Sequence, residues 1–189
     1  MNTTLILLGV CIVVLIYGIS LYNSLVQLKH AVAKAWANID VLLKQRHDEL
    51  PKLVEVCKQY KEFEQATLER VIAARSRVQV AREGQDIAAL GQAESALRAS
   101  LGGLFAVAEA YPELKANENY MQLQTRITGL ENGIADRREL YNESVNIYNV
   151  RIEQFPAALI ANMLSFTAKP LLEFSTQEKA DVDMKALFS

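Results

Sequence analysis

The stretch YMQLQTRITGLENGIADRRELYNESVNIYNVRIEQF, residues 120–155, decides the fold class of this chain. Its apolar and aromatic side chains recur every three or four residues, at Tyr120, Leu123, Ile127, Leu130, Ile134, Tyr141, Val145, Tyr148, Ile152 and Phe155. This spacing predicts a long helix with one narrow apolar stripe, interrupted only near Arg137 and Arg138. A single helix of this kind leaves its stripe in water, so we expect other helices to cover it.

The composition of the whole chain also favours an all-helical fold. The 189 residues are 51% hydrophobic and include only 8 Gly and 4 Pro, which is too few for a turn-rich β architecture. The net charge of −2 argues against a nucleic-acid-binding protein, which would carry a strongly basic surface.

The N-terminal segment has the composition of a membrane span. No charged side chain precedes Lys29, and residues 5–21 read LILLGVCIVVLIYGISL. About 20 apolar residues in a helix cross the hydrocarbon core of a membrane. We therefore predict a transmembrane anchor over residues 1–22, with Tyr17 and Tyr22 suited to the membrane interface.

Two other interpretations of the same segment fit it less well. A cleaved signal peptide would begin with basic residues and end at a small-residue cleavage site, and neither is present. A lipoprotein signal would use Cys11, but Val10 is too large for the position before that cysteine.

The charges that follow the segment predict its orientation. Between Lys29 and Arg46 there are four basic residues and one acidic residue, Asp40. Basic residues flanking a span tend to stay in the cytoplasm, so we expect the N-terminus outside and the large domain inside.

The remaining pattern predicts that the transmembrane helix continues directly into an up-down-up-down antiparallel four-helix bundle over residues 23–155. The first helix is expected to end near Arg46, before a break at His47–Pro51. Three further helices follow, at Pro51–Gly84, at Asp86–Ala110, and from a start between Glu113 and Asn119 to Phe155.

Two segments follow the bundle. Residues 156–175 are apolar with few charges, and we expect them to return to membrane level. There they would cap the bundle, contact the bilayer surface, or contact a neighbouring subunit. Residues 176–189 are predicted to form a flexible charged tail.

The sequence shows no pattern of catalytic or ligand-binding residues. His30 and His47 are too far apart to share a ligand, and Cys11 and Cys57 have no metal-ligand spacing. No motif typical of a hydrolase, a phosphate-binding loop or a metalloprotease occurs. We therefore predict no enzymatic activity, no catalytic or metal-binding residue, no cofactor and no small-molecule substrate.

Asparagines on the last long helix define a candidate interaction face. Asn142, Asn146 and Asn149 follow one another at helical spacing, although asparagine is a poor helix former. Such amides either bond to another helix or contact a partner. Together with the apolar residues that follow, the predicted face consists of Asn142, Asn146, Asn149, Phe155, Pro156, Leu159 and Phe166. Separately, Gly129 and Gly133 predict that another helix backbone approaches closely.

Motifs at both ends of residues 1–175 resemble the LemA family. The first half contains AWANID at 35–40 and RHDELPKLV at 46–54, and the second half contains YNESVNIYN at 141–149 and IEQFP at 152–156. The resemblance implies a bacterial inner-membrane protein with one N-terminal span and an antiparallel helical bundle. Family members are discussed in connection with membrane organisation, including one in magnetosome membrane formation, and the resemblance brings no catalytic residue.

These observations predict a non-enzymatic scaffold anchored at the inner membrane. Its expected partners are the lipid bilayer, further copies of the same chain and other membrane proteins, but not nucleic acid. The alternative is a signalling or sensor subunit, in which the continuous first helix transmits a signal from the membrane.

Overall fold

The structure, a computed structural model, describes residues 2–60 and 63–173. Within these ranges there are six helices and no strand. The helices are α1 (Asn2–Lys58), α2 (Gln65–Glu83), α3 (Ile87–Ala108), α4 (Pro112–Lys115), α5 (Glu118–Glu153) and α6 (Ala157–Met163). The all-helical prediction is confirmed, and the predicted tail at 176–189 lies outside the described residues.

Local signals place several of the helix ends correctly. Asp86 caps α3, because its side chain accepts a hydrogen bond from the backbone N–H of Ala89 at 2.9 Å. Gly84 ends α2, as the sequence predicts. The long stripe-bearing helix is α5, which begins at Glu118 and ends at Glu153, before Pro156.

The predicted break at His47–Pro51 is wrong, because α1 continues through Pro51 to Lys58. Proline has no N–H, so the carbonyl four residues earlier, that of His47, loses its helical donor. Arg75 of α2 replaces it by donating its Nε–H to the His47 carbonyl oxygen at 3.0 Å. A side chain from another helix therefore satisfies the carbonyl that proline leaves free.

The chain divides into two compact units, and both α1 and α5 contribute to each. The first unit comprises residues up to Ile39 and Arg137–Leu171. The second comprises Asp40–Asp136 and, among the described residues, 172–173. The up-down-up-down arrangement of four helices stays a prediction.

In the first unit, α1 begins as an exposed apolar helix and then becomes packed. It is long and apolar enough to cross a membrane. Burial begins at Leu21 and continues at Leu25 and Val32. On α5, Tyr141, Val145, Tyr148 and Ile152 are buried, as the stripe predicts.

The second unit has a larger apolar core. Its buried side chains come from α1 to α5 and include Leu43, Leu50, Leu53, Leu68, Val71, Leu90, Leu97, Leu104, Leu114, Tyr120 and Ile127. The predicted backbone approach at the two α5 glycines is wrong. A Cβ on Gly129 would have no neighbour within 4 Å, and one on Gly133 would meet only the side chain of Leu42, at 3.3 Å.

A close backbone approach occurs instead at Gly91 of α3. A Cβ at this position would lie 2.0 Å from the backbone oxygen of Glu173, a distance that real Cβ atoms do not adopt. The preceding Leu172 is fully buried. Gly91 therefore provides the space in which residues 172–173 lie against α3.

Candidate interaction surface

Asn149, one member of the predicted interaction face, bonds within the chain. Its side-chain N–H donates to the carbonyl oxygen of Lys169 at 2.9 Å, and its side-chain oxygen accepts from the backbone N–H of Lys169 at 2.8 Å. One amide thus satisfies both backbone groups of a residue in the non-helical segment 164–171. Asn142 is half-buried, and Asn146 is exposed.

Two tyrosines of the α5 stripe hold the same segment. The Tyr148 hydroxyl donates to the carbonyl oxygen of Thr167 at 3.1 Å, and the Tyr141 hydroxyl donates to that of Pro170 at 3.0 Å. Burial raises the pKa of both phenols, so the hydroxyls keep their protons at neutral pH. The apolar spacing of α5 does not predict these bonds, although buried tyrosines usually need a hydrogen-bond partner.

Aromatic contacts show how far segment 164–171 reaches along α1. The ring of Phe166 packs edge-on against Tyr22, with 6.3 Å between ring centroids. Further along α1, Trp36 packs against Tyr141 at 5.7 Å. Segment 164–171 therefore extends to the level at which α1 changes from an exposed apolar helix to a packed one.

The remaining members of the predicted face lie on or beside α6. Ala157 and Ala161 bury one side of this helix, while Leu159 on the other side is 64% exposed. Phe155, just before the helix, is 81% exposed, and Pro156 is half-buried. The structure shows these residues accessible, but their role as an interaction face stays a prediction.

The outer side of α5 carries an apolar stripe that the sequence analysis missed. It consists of Leu140, Ile147 and Val150, all exposed and separated by seven and three residues. The exposed Asn146 lies beside it. The signal was available in the sequence as a second heptad-like spacing, but the stronger stripe at Tyr141, Val145 and Tyr148 obscured it.

The second unit contains a buried ionic cluster. Arg46 of α1 is 1% exposed and donates to Glu94 of α3 and to Glu131 of α5, at 2.5 Å in each case. Arg98 approaches Glu131 at 3.5 Å. Burial raises the pKa of the Glu94 carboxyl, and the Arg46 guanidinium opposes that shift. Because Arg46 bonds to both carboxylates, the cluster joins three helices and has a structural role.

A second polar pair links α1 to α2. The Nη2–H group of Arg75 donates to Nε2 of His47 at 2.6 Å, which requires this ring nitrogen to be unprotonated. Partial burial lowers the pKa of His47, and the nearby Arg75 guanidinium lowers it further. His47 is therefore a neutral acceptor at neutral pH.

Within the described ranges, no three His, Cys, Asp or Glu side chains are placed to hold a metal ion. Cys57 is fully buried, and burial raises its pKa to about 12, so it remains a thiol. Arg46 bonds to Glu94 and Glu131, and Arg75 bonds to the ring and the backbone of His47. Their arrangement accounts for the packing of the helices.

Over residues 2–60 and 63–173 the chain is all-helical, and one helix in these ranges is long and apolar enough to span a membrane. The sequence model of the LemA family matches residues 35–185 of this chain. The chain belongs to the LemA family. The resemblance that the motifs at 35–54 and 141–156 indicate is thereby confirmed.

Two kinds of relative are similar to this chain. Protein LemA of Metamycoplasma hominis is 27% identical over 165 residues, which are 87% of this chain and 74% of that protein. Magnetosome protein MamQ 2 of Paramagnetospirillum magneticum is 36% identical over 67 residues, and magnetosome protein MamQ of Magnetospirillum gryphiswaldense is 34% identical over 67. These matches cover 35% of this chain and 25% of each magnetosome protein. None of these names gives an enzymatic activity.

Proposed function

We propose that this protein is a non-enzymatic, membrane-anchored scaffold built on an antiparallel four-helix bundle. It self-associates or binds other membrane proteins at the bacterial inner membrane and acts in membrane organisation. Two relatives of this chain are named as magnetosome proteins, and this similarity supports a role in membrane organisation.

The observation that carries the proposal is the exposed apolar stripe of Leu140, Ile147 and Val150 on α5. Exposed apolar patches mark surfaces that contact a partner. The spacing of seven and three residues is that of a helix-pairing surface, so a second copy of α5 would cover it in coiled-coil fashion. Asn146 beside the stripe would fix the register of the two helices.

The test is the protein mass of the full-length chain in detergent, measured by light scattering. We expect a defined oligomer for the natural sequence and a monomer for Ile147→Glu, because a buried carboxylate without a partner opposes pairing. Val41→Glu is the matched control, since Val41 is similarly exposed on α1 in the second unit. A monomeric natural protein, or an Ile147→Glu oligomer, would contradict self-association.

For the membrane topology, we propose an extracytoplasmic N-terminus and a cytoplasmic bundle, since four of the five charged residues at 29–46 are basic. Thr128 on α5 is exposed, so a Thr128→Cys thiol would be accessible to reagents. A membrane-impermeant maleimide should label it only after the cells are broken. Labelling in intact cells would reverse the proposed orientation.

One observation favours the alternative of a sensor subunit: α1 is a single helix from the apolar span to Lys58, uninterrupted at Pro51. A continuous helix can carry displacement from the membrane into the packed region. Inserting two or three glycines near Ala31 should then abolish the signalling output of the protein, because the helix no longer transmits displacement, and leave membrane anchoring intact. Unchanged output after this insertion would exclude the alternative.

A further inference from the structure

A small cavity lies beside α1 in the first unit, between Lys29 and segment 164–171. Its volume is about 90 Å³, and its polar wall is formed by Lys29, Ser165, Thr167 and Lys169. A water molecule occupies about 30 Å³ in the liquid, so the cavity has room for a group several atoms in size. We propose that it binds the phosphate of an anionic phospholipid headgroup, an inference that rests on the membrane anchoring proposed above.

The charges at the cavity favour an anion. Within residues 2–60 and 63–173, neither Lys29 nor Lys169 forms an ion pair with a carboxylate. Two ammonium groups at one cavity, with no carboxylate of the described residues paired to them, attract a phosphate, a ligand that lysine binds readily. Two hydroxyl side chains in the same wall, those of Ser165 and Thr167, add hydrogen-bond donors.

Both lysines are held at the cavity by other groups. Asn149 fixes the backbone of Lys169 through two hydrogen bonds, at 2.8 and 2.9 Å. The Lys29 ammonium lies over the ring of Phe166, 6.0 Å from its centroid. The Lys29 ammonium and the Lys169 backbone are thus positioned before a ligand arrives, which lowers the ordering cost of binding.

The position along α1 identifies the source of the phosphate. Lys29 is the first charged residue of the chain and lies seven residues beyond Tyr22, about 10 Å along a helix. A lysine stem can reach back over part of this distance while its ammonium remains with the lipid phosphates. Phe166, in the cavity wall, contacts Tyr22 directly.

Apolar residues next to the cavity suit the same occupant. Met163 is 75% exposed, and the neighbouring Leu164 also lies exposed at the rim. Apolar side chains beside cations are typical of a surface that lies in the membrane interface, where acyl chains cover the former and phosphates the latter. A soluble phosphate ion would leave Met163 and Leu164 in water.

The experiment is native mass spectrometry of the full-length chain in detergent, titrated with phosphatidylglycerol, phosphatidylcholine or inorganic phosphate. We expect the strongest binding to phosphatidylglycerol. The double variant Lys29→Gln/Lys169→Gln should weaken it about fivefold per lysine, a factor that corresponds to ~1 kcal/mol for each basic residue. The control is Lys34→Gln/Lys44→Gln, which removes the same charge from exposed positions of α1.

Several outcomes would overturn the site. Equal loss in the control variant would mean diffuse charge attraction, and equal binding of phosphatidylcholine would mean that no anionic headgroup is selected. Inorganic phosphate binding as tightly as the lipid would assign the cavity to a free anion. The same spectra report the oligomer, and fractionation of cells reports anchoring, so failure of the scaffold proposal is distinguishable from failure of the lipid site.

Discussion

The two units differ in the polar contacts that join their parts. The second unit buries charge: Arg46 is held between Glu94 and Glu131 at 2.5 Å. The first unit uses neutral groups: the Tyr148 hydroxyl and the half-buried Asn149 amide bond to backbone atoms of segment 164–171. In the second unit these charged groups join three helices to one another. In the first unit the neutral groups join α5 to the non-helical segment 164–171.

This difference follows from what each contact must do. A buried ion pair is strongly favoured only at the correct distance, so it specifies which turns of three helices meet. A tyrosine or asparagine satisfies backbone N–H and C=O groups that a non-helical segment would otherwise bury unpaired. Neutral groups also avoid the desolvation cost that a buried charge would carry.

The largest effect is expected from breaking the ionic cluster. Arg46→Met leaves the buried Glu94 and the half-buried Glu131 without their main cation, which should lower the free energy of unfolding by about 3–5 kcal/mol. Chemical denaturation of the full-length chain in detergent measures this loss. The triple variant R46M/E94L/E131M, which removes the charges together, should recover most of it. A triple variant as unstable as Arg46→Met would show that shape, not charge, holds the second unit.

The close approach of residues 172–173 to α3 provides the next test. Gly91→Ala should cost about 1–3 kcal/mol, because its Cβ would overlap the backbone oxygen of Glu173. Gly102→Ala, on the same helix with no neighbour within 4 Å, should instead stabilise the protein by up to about 1 kcal/mol. Thermal unfolding of the two variants compares them directly. Stabilisation by Gly91→Ala would mean that residues 172–173 do not lie against α3.

In the first unit, loss of a neutral contact should have a smaller effect. Asn149→Ala removes two hydrogen bonds to Lys169 and should cost about 1–2 kcal/mol, since each contributes roughly 0.5–1.5 kcal/mol. Hydrogen exchange should show faster exchange of the Lys169 amide. Asn146→Ala, one turn earlier and exposed, should leave that amide protected. Equal exchange in both variants would rule out a specific role for Asn149.

The smallest effect is a pH dependence confined to the second unit. The pKa of His47 is lowered in the folded chain, so the unfolded chain binds more protons between that value and about 6.5. The free energy of unfolding should therefore be highest above about pH 6.5 and fall as the pH drops through this window. His47→Asn should remove this part of the pH profile. A profile that is unchanged in the variant would show that the Arg75 contact does not depend on protonation.

Much of the helical pattern could be predicted from local sequence. The long stripe from Tyr120 to Ile152, the cap at Asp86 and the stop at Gly84 are signals that neighbouring residues carry. The apolar run before Lys29 likewise predicts a helix able to span a membrane. The candidate face was predicted less well, because an asparagine on a helix does not reveal which of its sides meets the rest of the chain.

The sequence by itself determined the helical class, the apolar span, the end of α2, the approximate bounds of α3 and α5, and the family, because these depend on spacing within a few turns. Tertiary structure decided the rest. Pro51 leaves the His47 carbonyl without a helical donor, and Arg75, which is 28 positions from His47 in the sequence, donates to that carbonyl. This contact compensates for the proline inside α1. Arg46 can be buried because two carboxylates neutralise it, and these lie 48 and 85 positions away in the sequence. Partners at such separations leave no periodic signal in the sequence, so only the folded chain brings them together.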